Sequence, residues 1–134
     1  MKASSLVVSK RRIDGVIILD LTGNIRLGEE NAYLHNTIRE LVSNGERKLL
    51  LNLAHVTKID SSGMGELIAA YTTLQKNGGE AKLLNLTQGV EQLMTLTKLL
   101  TVFETYENES DAIASFKTKP FEGELWSNAN VSFS

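Results

Sequence analysis

The sequence predicts an α/β domain: a mixed sheet that opens with an antiparallel hairpin and continues as alternating strands and helices, the helices packed on the sheet. Three observations predict it. Two runs of β-formers, Leu6-Val7-Val8 and Val16-Ile17-Ile18-Leu19-Asp20-Leu21, are separated by a segment that ends in Asp14-Gly15. Both of those residues tolerate positive φ, which a tight hairpin turn requires. The run Leu49-Leu50-Leu51-Asn52-Leu53 places apolar side chains on both strand faces, as in a central parallel strand. From there on, strand-like and helix-periodic segments alternate, and such crossovers make the rest of the sheet parallel.

Taken in order, the hairpin is followed by Thr22 to Gly28, a loop with room for a short strand around Asn24 to Arg26. A helix follows over Glu29 to Ser43, with Ala32, Leu34, Ile38, Leu41 and Val42 on one face. Its two leading glutamates suit a positive helix start, and Asn44-Gly45 suits its end. Arg47 to Leu53 is the central strand. A short loop containing Lys58 to Ser62 leads into a second helix, whose stripe is Met64, Leu67, Ile68, Tyr71 and Leu74. Ala81 to Leu86 is a strand, Gln88 to Leu99 a helix carrying Val90, Leu93, Met94 and Leu96, Thr101 to Tyr106 a final strand, and Glu109 to Phe116 a closing helix. One domain over 1–116 is expected. Lys117 to Ser134, rich in Ser, Asn and Gly with Phe121, Leu125 and Trp126 as scattered anchors, reads as an extended tail.

Composition narrows the function. The chain has 134 residues, 42% of them hydrophobic, enough for one domain with a core. The net charge of −2 comes with no basic stripe, so no direct nucleic-acid contact is expected. The absence of cysteine excludes disulfides, thiol catalysis and thiolate metal sites. The apolar runs are too short for a signal peptide or a membrane span, so a cytoplasmic protein without membrane insertion is expected.

The densest chemistry is at Asp60-Ser61-Ser62-Gly63-Met64-Gly65. An acid, two hydroxyls and two glycines meet where a helix begins, and a helix N-terminus tolerates an anion such as a phosphate. An enzyme is not expected. The Gly-x-Ser-x-Gly elbow and the P-loop spacing are both missing. The two histidines, His35 and His55, stand in no triad-like relation to the serines. Plain helix capping explains an Asp or Ser at this point. The glycines add a second reading, since they strip side chains from around the serines and leave Met64 as a flexible apolar contact for a partner. On these residues alone, capping and partner recognition both stand.

The same run resembles the signature loop of the STAS domain family, specifically its anti-sigma factor antagonists. The resemblance covers Leu6 to Phe116 and includes the hairpin, the Leu21-Thr22-Gly23 loop, the leucine-rich strand and the alternating order, a STAS-like mixed sheet. It implies that Ser62 is phosphorylated by the partner, an anti-sigma factor that is itself a serine-protein kinase. It further implies that Asp60, Ser61, Gly63, Met64, Gly65 and Asn24 contribute to partner binding. ATP and Mg²⁺ would belong to the kinase, this chain would need no cofactor, and a serine phosphatase of the PP2C type would reset the switch. Many antagonists carry an acidic stretch after the second strand. Here Gly23-Asn24-Ile25-Arg26 has no acid and one base, which implies a divergent partner. Two alternatives within reach of the same residues are a non-switching STAS scaffold subunit, of a stress-sensing or transporter-associated complex, and a nucleotide-binding module using the helix N-terminus. Oligomeric state is not legible.

Overall fold

The computed structural model of the protein describes residues 6–26 and 28–117. Strands β1 (Leu6–Ile13) and β2 (Val16–Ile25) form the hairpin, followed by α1 (Glu29–Ser43), β3 (Lys48–Ile59), α2 (Ser61–Lys76), β4 (Glu80–Leu84), α3 (Gln88–Leu96), a 3₁₀ turn at Leu99–Thr101, β5 (Thr105–Tyr106) and α4 (Glu109–Lys117). The sheet has five strands in the order β1-β2-β3-β4-β5. β1 and β2 are antiparallel and every other pair is parallel, as the crossover pattern requires. The hairpin turns at Asp14 and Gly15, with φ of 55° and 81°.

The leucine-dense centre is buried on both faces. Leu49, Leu51 and Leu53 point to the larger core beneath α1, α2 and α3, and Leu50 points to a smaller core under α4. Leu34, Ile38 and Leu41 of α1 and Met64, Leu67 and Leu74 of α2 fill the larger side. Burying this surface is the main drive for the fold, at roughly 25 cal/mol per Å² of apolar area.

Several boundaries differ from expectation. The segment from Thr22 is not a loop with a separate short strand around Asn24 to Arg26, because β2 itself continues unbroken to Ile25. β3 does not stop at Leu53 but runs to Ile59. The two extensions pair with each other through bulges that add a residue to β3 between Asp20 and Thr22 and again between Gly23 and Asn24. The first bulge returns Val56 to the core face three residues after Leu53, and the second does the same for Ile59 three residues after Val56, a pattern that strict alternation does not predict. β4 ends at Leu84, before Asn85 turns left-handed at φ 59°. α3 ends at Leu96, before Lys98 does the same at φ 63°. Leu96 is therefore 80% exposed rather than part of the stripe, and Ala32 of α1 is exposed as well. β5 keeps only two of the residues expected from Thr101 on. The tail expected over 117–134 lies, apart from helical Lys117, outside the described residues.

Polar side chains tie α4 to the sheet. Arg11 donates to Asp20 at 2.6 Å and to Glu109 of α4 at 2.8 Å. Asn52 donates to the same Asp20 at 2.8 Å. The Arg11 hydrogen bond, aided by Asn52, holds the Asp20 carboxyl below the usual carboxylate range against the opposing pull of burial. Lys82 is buried under α4, where its ammonium meets Ser115 at 2.8 Å and Glu104 at 3.0 Å and lies 4.6 Å from the Phe116 ring centre.

Candidate functional site

The serine turn forms where β3 ends and α2 begins, with no loop between them. Ile59 closes the strand and Asp60 is the N-cap, its backbone extended at φ −109° and ψ −175°. The Asp60 N–H donates to the Ile25 carbonyl at 3.3 Å, which fastens the turn to the end of β2. Asp60 Oδ1 accepts from the Gly63 N–H at 2.9 Å, a standard cap of one orphan donor. The same oxygen accepts from Ser62 Oγ at 3.0 Å. Asp60, not a serine, therefore caps the helix. Ser62 is half-buried with its hydroxyl held, while Ser61 and Gly65 are exposed.

Two expectations at this site are corrected. Met64 is no surface contact: it is 2% exposed and belongs to the larger core. On a helix that starts at Ser61, position 64 faces the sheet together with position 67, and the missing loop is what sets that phase. Gly63 does not clear the surface for a partner either. A Cβ there would collide with the Ile25 carbonyl oxygen and lie 2.9 Å from both Ile25 Cγ2 and Ile59 Cγ1. Glycine at 63 lets α2 sit directly on the ends of β2 and β3. At Gly65, by contrast, a Cβ would meet open space, so that position is exposed surface.

Asn24 stands beside the turn, across from Lys58 in the β2–β3 register. Its Oδ1 accepts from Thr57 Oγ1 at 2.8 Å. The structure thus places Asp60, Ser61, Ser62 and Gly65 at one rim, with Gly63 and Met64 beneath it, while Asn24, in register with Lys58 and next to the core-facing Ile25, has its side chain on Thr57 and not on the serines. It also reveals a contact that sequence reasoning missed. Glu66, one turn after Ser62, meets His35 Nδ1 of α1 at 2.7 Å. The pair is more than thirty positions apart in sequence, and only the packing of α1 on α2 joins them. Among the described residues, no group of three His, Asp or Glu is placed to hold a metal, and no helix is long and apolar enough to cross a membrane.

A mixed sheet with three helices on one face, one on the other and a held serine at the start of the second helix defines a small α/β domain built around a hydroxyl-bearing rim. The STAS domain model matches residues 7–112, and the chain belongs to that family. Among curated proteins it is similar to one from Thermotoga maritima provisionally named an anti-sigma factor antagonist, with 29% identity over 109 residues that span 80% of this chain and 95% of that one. Among solved structures it is similar to an anti-sigma factor antagonist from Mycobacterium paratuberculosis, with a TM-score of 0.72 and 24% identity over 84% of this chain and 95% of that one. It is also similar in fold to the Bacillus cell fate determinant SpoIIAA in its phosphorylated form, with a TM-score of 0.66 and 17% identity over 81% of this chain and 98% of that one.

Proposed function

We propose that this protein is an anti-sigma factor antagonist that works as a phosphorylation-controlled partner switch. In its unphosphorylated form the rim around Ser62 docks on an anti-sigma factor that is also a serine kinase, and the sigma factor is released. The kinase transfers the γ-phosphoryl group of ATP to Ser62 Oγ: the Oγ–P bond forms as the β–γ phosphoanhydride bond breaks, ADP leaves, the hydroxyl proton passes to a base of the kinase, and the complex separates. A PP2C-type serine phosphatase restores the hydroxyl. The protein itself acts in the cytoplasm by binding rather than by catalysis.

The observation that carries this reading is the Ser62 hydroxyl, half-buried and hydrogen-bonded to Asp60 at 3.0 Å at the start of a helix. A phosphate in its place brings about −1.5 to −2 charges next to the Asp60 carboxylate and removes the O–H donor. The helix start tempers that repulsion, so the fold persists while the docking face changes. A loss of about 3 kcal/mol in docking lowers affinity more than a hundredfold, enough to switch partners. The similarity to named antagonists supports the same assignment.

Mass spectrometry after incubation with the cognate kinase, ATP and Mg²⁺ tests it. One phosphate on Ser62, and none on the Ser62→Ala variant, is the expected result. An unmodified Ser62 under conditions where the kinase is active overturns the assignment.

A further inference from the structure

Ser62 has a neighbour that a serine switch does not by itself require. The residue one turn further along α2 is Glu66, and side chains four apart lie side by side on a helix, with Cβ atoms about 6 Å apart. Gly63, Met64 and Leu67 take the sheet side of that turn. Ser62 and Glu66 therefore share its flank, and the contact with His35 shows that this flank faces α1. The Glu66 side chain is only 12% exposed, and its Oε2 meets His35 Nδ1 at 2.7 Å. A carboxylate only accepts, so Nδ1 is the donor. Of the ion pairs among the described residues, this one alone involves a residue of α2. Lys58 is nearer to Ser62 in sequence, but alternation with the core-packed Ile59 turns it to the sheet face away from α2.

We propose that His35 receives the phosphate on Ser62, giving up Glu66 for it. The proposal rests on the partner-switch reading and specifies what happens inside this chain once the serine is modified. A phosphoserine brings about −1.5 to −2 charges and three acceptor oxygens to a position one turn from a carboxylate. The two acids then compete for one ring N–H. The phosphate has the greater charge and the more oxygens, so it takes the donor. Glu66 loses its partner and is repelled at the same time. A carboxylate with so little exposed surface cannot stay where it is without a partner, so it turns out to solvent. The His35 side chain is 42% exposed and has room to follow the phosphate. Phosphorylation thereby reaches α1, and it changes two side chains of the docking face besides Ser62.

The test compares the full ¹⁵N-labelled chain carrying serine at position 62 with the same chain carrying phosphoserine there, installed during synthesis. The chain has two histidines, and His55 is exposed, so a His55→Gln variant assigns the ring signals. Phosphorylation is expected to move the His35 ring nitrogens and the α1 amides around them. His35→Gln should shift the ³¹P signal of the phosphoserine. In urea, His35→Gln should lower the folding equilibrium constant several-fold more in the phosphorylated chain than in the unmodified one, the mark of coupling between the two groups. A His35 that serves only to hold Glu66 would make the variant cost the unmodified chain at least as much. The proposal is overturned by that result, by a His35 ring signal that phosphorylation leaves in place, or by a ³¹P signal that follows Arg26→Gln and ignores His35→Gln. The ring signal is read in a chain with His35 intact, so it decides the matter even where His35→Gln fails to fold. None of these outcomes involves a kinase, so they stand apart from a failure of Ser62 to be phosphorylated.

Discussion

Ser62 Oγ and the Gly63 N–H both donate to one oxygen, Asp60 Oδ1, at 3.0 and 2.9 Å. A single carboxylate oxygen therefore starts the helix and orients the hydroxyl. Asp60→Ala should cost about 1 kcal/mol of stability through the lost cap and slow phosphorylation of Ser62. Asp60→Asn keeps a good cap while removing the charge, so it should retain most of the stability. Urea denaturation and the kinase rate, measured on both variants, separate the two roles. Equal stability loss in Ala and Asn would contradict the capping assignment.

The two glycines of the turn should behave oppositely. Gly63→Ala forces a methyl group against the Ile25 carbonyl and should destabilise by about 1–3 kcal/mol, the usual range for overpacking. Gly65→Ala points into open space within a helix and should be neutral or stabilising by up to about 1 kcal/mol. Thermal melts of the two variants provide the comparison.

Met64→Ala should lower stability by about 2–5 kcal/mol, because it opens a cavity in the larger core. A surface methionine would cost a few tenths at most. A chemical denaturation curve distinguishes these outcomes without any partner.

Asp20 predicts an acid-sensitive component of stability. Its carboxyl sits below its ordinary value in the folded state, chiefly through the Arg11 hydrogen bond. The stabilisation it brings is complete above the unfolded value and is lost as pH falls through the folded one. Denaturation midpoints should therefore drop as pH falls through and below the ordinary carboxylate range, and Asp20→Asn should flatten that drop. An unchanged acid profile in Asp20→Asn would refute this.

Ser62→Ala should bind the kinase in the presence of ATP as tightly as in its absence, while Ser62→Asp should bind it at least tenfold more weakly. Calorimetry on both variants gives the answer. Equal affinity for Ala and Asp would leave the serine with a structural role only.

Much of this was legible in local sequence. Asp14-Gly15 marked the hairpin, the leucine run marked a strand buried on both faces, and the Asp60 to Gly65 run marked a helix start with a hydroxyl at it. Legibility failed where non-local pairing decided the outcome. The segment Thr22 to Ile25 contains Gly and Asn and reads as a loop with room for a short strand around Asn24 to Arg26, yet pairing with the end of β3 makes it an unbroken continuation of β2. The local sequence hints at a strand near Asn24 but not at its continuity with β2 or with the end of β3, because ladder hydrogen bonds belong to both strands.

The sequence by itself determined the order of elements, the mixed sheet and the presence of a serine pair at a helix start, since periodicity and turn chemistry are local properties of the chain. Only the tertiary structure decided what each residue of that turn does. The bulged extension of β3 removes the expected loop and sets the phase of α2. That phase turns Met64 into the core, presses Gly63 onto the Ile25 carbonyl, and leaves Ser62 on the rim beside Asp60. Helical phase relative to a sheet is fixed by packing between elements far apart in sequence, and a local motif carries no record of it.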